Sequence, residues 1–289
     1  MTRRDSSVIE LMHGIAKIAD PYRWLETPSA QETVEFIAKQ NDKFNMFIES
    51  SNIKQKIQQK ITKYFNYEKF GCPMKRGDYY YQFYNSGLLP QSILQRRRLL
   101  TDQATTFFDP NALSEDGTVS LSVYSFSKSG KYFACGLSAS GSDWIEISVK
   151  DATGDVATDV ENTPLKWAKF TSIAWTHDEK GFFYNRYPAP GVSDAGTETD
   201  TNQFAKIYYH FLNTDQEKDA VCFSIPENPN HMPGVSISDD GKYVIFTVSE
   251  SCDPANKVYI GSLEKFMGGS DSISLLPLVE YYFLIVTNR

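Results

Sequence analysis

The chain has 289 residues, of which 41% are hydrophobic, 22% charged and 14% aromatic, and its net charge is −7. That length supports a substantial core in one large or two ordinary domains, and the acidic balance excludes a general electrostatic grip on nucleic acid. No run reaches the roughly 18 apolar residues of a membrane-crossing helix, and "MTRRDSSVIELMHG" lacks the apolar stretch of a signal peptide.

Residues 1–70 predict a helical segment. Ser29-Ala30-Gln31-Glu32 fits a capping box, and behind it Val34, Ile37, Phe44, Phe47 and Ile48 recur at helical spacing. Ile53, Ile57, Ile61 and Tyr64 make a second such face, and Asp20-Pro21 supplies the lead-in. After Gly71 the period changes to two. "DYYYQFY", "KYFACGLSAS", "DWIEISVK", "GFFYNRY", "AKIYYHFL" and "KYVIFTVS" are short aromatic or β-branched runs divided by turn residues. Arg96-Arg97-Arg98, the one basic run, predicts a solvated strand or turn.

The runs repeat. A polar turn ending in Gly, then an aromatic, then a strand recurs at Gly77, Gly130, Gly181 and Gly241. "YSFSKSG", "IAWTHDEKG" and "VSISDDG" add an apolar-x-Ser/Thr lead-in. Glycine allows positive φ where strands reverse. A period near 50 residues with several strands per unit is the mark of propeller blades, here about four of them with the last incomplete.

Several motifs invite a chemical reading. "GLSASG", Gly136 to Gly141, resembles a nucleophile loop, but neither Ser138 nor Ser140 has both flanking glycines, and "DWIEISVK" behind it alternates like a strand. It predicts a hairpin turn. His177-Asp178-Glu179 lacks the cysteines of a zinc deaminase, and His13, His210 and His231 lack metal-ligand spacing. Gly130-Lys131 and Gly241-Lys242 are not phosphate-binding loops. No catalytic residue, metal or cofactor is predicted. Cys72, Cys135, Cys222 and Cys252 are scattered without a C-x-x-C pair, which predicts a reduced, cytoplasmic protein.

"DPYRWLE" at 20–26, "FFDPNALSEDGTVSL" at 107–121, "SASGSDW" at 138–144, "FTSIAWTHDEKGFFYN" at 170–185, "GTETDTN" at 196–202, "KIYYHFLNTDQ" at 206–216 and "CDPANKVY" at 252–259 closely resemble the prolyl oligopeptidase family. The resemblance is collinear to about residue 265. It implies a seven-bladed β-propeller set between an N-terminal helical segment and a C-terminal α/β-hydrolase domain that carries the Ser, Asp and His of a serine peptidase. The family cuts short peptides after proline, and the propeller restricts access. By this reading residues 1–70 are the helical segment that packs on the hydrolase domain, 71–276 are a partial propeller and 277–289 a divergent tail. The hydrolase domain is absent, so the chain alone is expected to be inactive. The alternative is a stand-alone propeller scaffold or a regulatory truncated isoform that binds a protein or peptide.

The resemblance also assigns residues. Phe170, Met232 and Cys252 match an apolar pocket for the residue two before the proline. Asp143 and Trp144 match the cavity-facing end of "SGSDW". The gating loop is matched by Gly196, Thr197, Glu198 and Thr199. The family usually places an Arg at the position of Ser249, which puts that polar contact to substrate in doubt. The expected partners are proline-containing peptides and the hydrolase domain, with neither nucleic acid nor membrane. Finally, Tyr281–Val286, "YYFLIV", has the composition of an aggregation-prone strand when exposed.

Overall fold

The computed structural model describes residues 2–191, 196 and 202–264, and the backbone of 275–279. The "YYFLIV" run and Thr197, Glu198 and Thr199 of the gating loop lie outside the described residues, as does nearly all of the 277–289 tail. The chain divides into two compact units, one of residues 1–67 with 192–200, the other of residues 68–191 with 201–289. No helix among the described residues is long and apolar enough to cross a membrane.

The first unit holds α1 (Gln31–Glu49) and α2 (Lys54–Phe65), as the periodicity predicts, and also a hairpin of β1 (Ile9–Met12) and β2 (Ala16–Ala19) that it does not. The capping box does not form. Helix α1 starts at Gln31 with Ala30 at its cap and no side-chain cap bond. Ser29 stands one residue too early, and the Glu32 carboxylate is taken by Arg3 at 2.6 Å. Thr33 is buried and donates its hydroxyl to the Trp24 carbonyl, while Trp24 meets Phe36 edge-on. Val34, Ile37, Phe44, Phe47, Ile57 and Ile61 are exposed, so the apolar faces read from the sequence are not buried in this chain.

Among the described residues the second unit forms four antiparallel sheets in chain order. Sheet one comprises β3 (Lys69–Phe70), β4 (Met74–Arg76), β5 (Tyr79–Asn85), β6 (Ile93–Arg97) and β7 (Thr105–Phe108). Sheet two comprises β8 (Ser120–Phe126), β9 (Tyr132–Ser138), β10 (Trp144–Asp151), β11 (Thr158–Asp159) and β12 (Leu165–Lys169). Sheet three is β13 (Ile173–Trp175), β14 (Gly181–Arg186), β15 (Lys206–Phe211) and β16 (Ala220–Phe223). Sheet four is β17 (His231–Ile237), β18 (Tyr243–Glu250), β19 (Asn256–Ser262) and β20 (Leu275–Val279). The strands 79–85 and 243–250 fall in separate sheets, as a radial arrangement requires and a sandwich does not.

Burial shows how the sheets stack. Side chains alternate across a strand, so a one-sided sheet buries every second residue. In β14, Phe182, Phe183 and Tyr184 are all 0% exposed. Phe182 and Tyr184 join a core with Ile147, Leu165 and Trp175, whereas Phe183 joins one with Ile207, Val244 and Phe246. A third core holds Tyr81, Leu94, Phe126 and Phe133. Each core is shared by two sheets that follow one another in the chain, and the inner sheets are covered on both faces.

The repeated turns converge at one end of the stack. Ser127, Thr176 and Ser238 each close the same five-residue reversal with a backbone bond to Tyr132, Gly181 and Tyr243. Ser129 donates its backbone N–H and hydroxyl to Glu179, Lys128 reaches the Asp239 carbonyl, and a Cβ on Gly130 would lie 2.7 Å from the Gly77 nitrogen. Gly130 has φ +80°, which suits glycine at this crowded reversal.

Two expectations need correction. The sequence repeat equates Gly181 with Gly130, but the residue with positive φ in the third turn is Glu179, at +56°. Arg96 is not solvated. It is 3% exposed, lies 4.2 Å from the Tyr79 ring centre and donates to the carbonyls of Ala152 and Gly154 in the loop that joins β10 and β11 of sheet two. The guanidinium spans two sheets because its planar fork can stack and donate together.

Candidate functional site

Strand direction places the candidate residues. With the converging turns at one end of the sheets, the opposite end carries the β9–β10 turn, the entries to β13 and β17 and the exit of β18. Asp143 and Trp144, Phe170, Met232 and Cys252 all belong to that opposite end. At the β9–β10 turn "GLSASG" is strand, reversal and strand. Ser140 and Gly141 have φ of +51° and +75°, and Ser138 donates its hydroxyl to the Ser142 carbonyl at 2.5 Å. The serine has no helix behind it and is turn chemistry.

Three of the five residues meet around one the sequence reading did not single out. Lys169 stands opposite Trp144 where β12 pairs with β10. Its Nζ lies 3.6 Å from an Asp143 carboxylate oxygen, 5.2 Å from the Trp144 ring centre and 5.3 Å from that of Phe170. Trp144 also meets Trp167 and Tyr187 edge-on, at 5.9 and 6.1 Å. The Phe170 side chain is held out: the residue is 61% exposed.

The backbone here is strained. Trp167 and Phe170 have φ of +63° and +50°, a region bulky side chains rarely enter. Surrounding bonds fix both. Tyr187 donates its backbone N–H to the Trp167 carbonyl at 3.0 Å. Asn185, 1% exposed, donates Nδ2 to the Phe170 carbonyl at 2.9 Å and accepts the Ser172 N–H at 3.1 Å. Strain that is held so firmly collects at functional sites. Asn185→Ala leaves two polar groups near Phe170 without partners and is expected to destabilise the chain by about 1–3 kcal/mol. Urea unfolding of the variant against the parent chain checks this; an unchanged midpoint would show that the Phe170 turn holds itself.

Met232 and Cys252 stand on sheet four. Met232 pairs with Ser249 across β17 and β18, and Cys252 is exposed and unbridged in the following turn. The link from Phe170 to this sheet is Ser172, whose hydroxyl bonds the carbonyl and the N–H of Val235 at 3.1 and 3.2 Å. Of the gating loop, Gly196 is described, with φ +102°. Lys169, Trp167, Tyr187 and Asn185 escaped the sequence reading, because their meeting depends on two positive-φ residues that are neither glycine nor asparagine.

Comparison with known proteins agrees with this architecture. The family described as "Prolyl oligopeptidase, N-terminal beta-propeller domain" matches residues 1–283. Prolyl oligopeptidase A of Amanita bisporigera is 37% identical over 86% of this chain and 35% of its own length. The prolyl endopeptidase of Dictyostelium discoideum is 31% identical over 100% of this chain and 45% of its own. Among solved structures, prolyl oligopeptidase B of Galerina marginata, bound to a 35mer hydrolysis and macrocyclization substrate, superposes with a TM-score of 0.83 at 29% identity, covering 98% of this chain and 41% of that one. This chain thus spans less than half the length of these relatives. The match over nearly every residue, together with sheets that stack in chain order, makes this chain a member of the prolyl oligopeptidase family.

Proposed function

We propose that the chain is the substrate-admitting propeller part of a serine peptidase that cuts short peptides after proline, and that it does not hydrolyse peptides by itself. The four sheets are read as successive blades of a seven-bladed ring. The observation that carries this is the meeting of Asp143, Trp144 and Phe170 at one end of the sheets, where an exposed aromatic ring is fixed by a strained, clamped backbone. Phe170, Met232 and Cys252 supply apolar surface for the residue two before the proline, and Ser249 offers less charge to the peptide than the family's Arg. The partners are proline-containing peptides and a hydrolase domain. Four free cysteines support a reducing, cytoplasmic setting.

The 289 residues contain no Gly-x-Ser-x-Gly, so the nucleophile that the reaction needs has no elbow here. The purified chain is expected neither to cleave a chromogenic Gly-Pro substrate nor to be labelled by an active-site serine probe. Hydrolysis or labelling would overturn the reading. Tight capture of a folded protein in place of a short peptide would favour a stand-alone scaffold.

A further inference from the structure

We propose that Lys169 is a substrate-binding residue, whose ammonium donates a hydrogen bond to a main-chain carbonyl of the peptide lying against Phe170. Lys169 is 8% exposed, which is rare for a lysine, and a buried ammonium needs partners for three N–H groups. The two aromatic faces attract its charge, but Trp144 and Phe170 accept no conventional hydrogen bond. Asp143, at 3.6 Å, lies beyond hydrogen-bond distance and is itself mostly exposed. Among the described residues nothing else receives a hydrogen bond from Nζ, and the side chain keeps 10% of its surface open to solvent. The ammonium is therefore pinned in place and still able to donate.

What it faces is defined by its neighbours. Phe170, with its exposed ring, follows it directly, so an apolar side chain resting on that ring brings its own backbone to the lysine. A neutral carbonyl suits the site better than a carboxylate, because the exposed Asp143 repels a second anion. Trp167 and Phe170, both held at positive φ, flank Lys169 and fix its direction.

This inference rests on the peptide-binding reading above, and the test separates the two. A blocked tetrapeptide, acetyl-Phe-Ala-Pro-Gly amide, is titrated into the intact chain while the fluorescence of Trp144 and Trp167 is followed. Lys169→Met keeps the stem and removes the charge, and Lys169→Arg keeps a donor. The methionine variant is expected to bind about tenfold more weakly or worse and the arginine variant to recover most of that loss. On the ligand side, a scan of single thioamide replacements in the peptide should weaken binding to the parent chain at one carbonyl and leave Lys169→Met indifferent to it. This scan on the parent chain stands even where the methionine variant does not fold. Equal affinity of parent and methionine variant, or a thioamide scan without a sensitive position, overturns the role of Lys169 and leaves the peptide site intact. Failure of the parent chain to bind the peptide at all overturns both.

Discussion

Raising the pH from 7 to 9 is expected to remove about 2 kcal/mol of folding stability through one side chain, His210. His210 is fully buried in β15. Its Nδ1 lies 2.7 Å from Asp219 and its Nε2 2.9 Å from Glu161, which comes from the loop that joins β11 and β12 of sheet two. Burial alone would favour the neutral ring, but the two carboxylates win and push the pKa up to about 9. The carboxylates are themselves held, Glu161 by the Asn213 N–H at 2.7 Å and Asp219 by the Tyr184 hydroxyl at 2.7 Å. The folded value lies above the ordinary one, so the stabilisation is complete below about pH 6.5 and is lost as the pH climbs through about 9. Denaturant unfolding at pH 7, 8 and 9 measures it. His210→Gln should be less stable at pH 7 and should lose the slope over this window. A parent chain with a flat profile would show that the folded imidazole is neutral. The window stops at pH 9 because burial pushes Cys135 and Cys222 up to about 12, so ionisation of unfolded thiols adds its own losses above that pH.

The network also shows what a sequence does and does not disclose. "KIYYHFL" predicts β15, because its apolar residues need a strand buried on both faces, and it places His210 in that strand. Nothing in it announces Glu161, 49 residues earlier. Strands and their chain-order pairing were legible because they follow from period-two burial and local turns. Buried charges were not, because their partners come from the neighbouring sheet or its loops: Arg96 reads as part of a basic surface run, yet it is anchored by carbonyls of the β10–β11 loop. The β1–β2 hairpin was missed for a different reason. All its residues are exposed, so no buried face imposes an alternation, and His13-Gly14 is a weak turn signal. At the candidate site the residue types were legible by family resemblance and the geometry was not. Lys169 became visible only when Trp167 and Phe170 turned the chain through positive φ.

Gly181→Ala is expected to be the most damaging single change in the repeated turns, with a loss of at least about 3 kcal/mol. The repeat suggests that Gly181 serves the reversal, and on that reading an alanine would meet only modest backbone strain. The structure gives another reason. Gly181 has no positive φ, and it sits in β14 opposite Phe211 of β15. A Cβ there would lie 2.0 Å from the His210 carbonyl oxygen and 3.0 Å from the Tyr209 ring. The atom in the way is backbone, so relief requires β15 to move away from β14. That movement opens the pairing that buries Tyr209 and shifts His210 from Asp219 and Glu161. Gly241→Ala is a useful contrast. Its φ is +73°, but the obstacle is the His177 ring, a side chain that can swing aside. The expected order is therefore a large loss at Gly181 and a smaller one at Gly241, read from urea midpoints at pH 7. A loss below about 1 kcal/mol at Gly181 would mean that β15 can step back freely, and would return this glycine to the role of a turn residue.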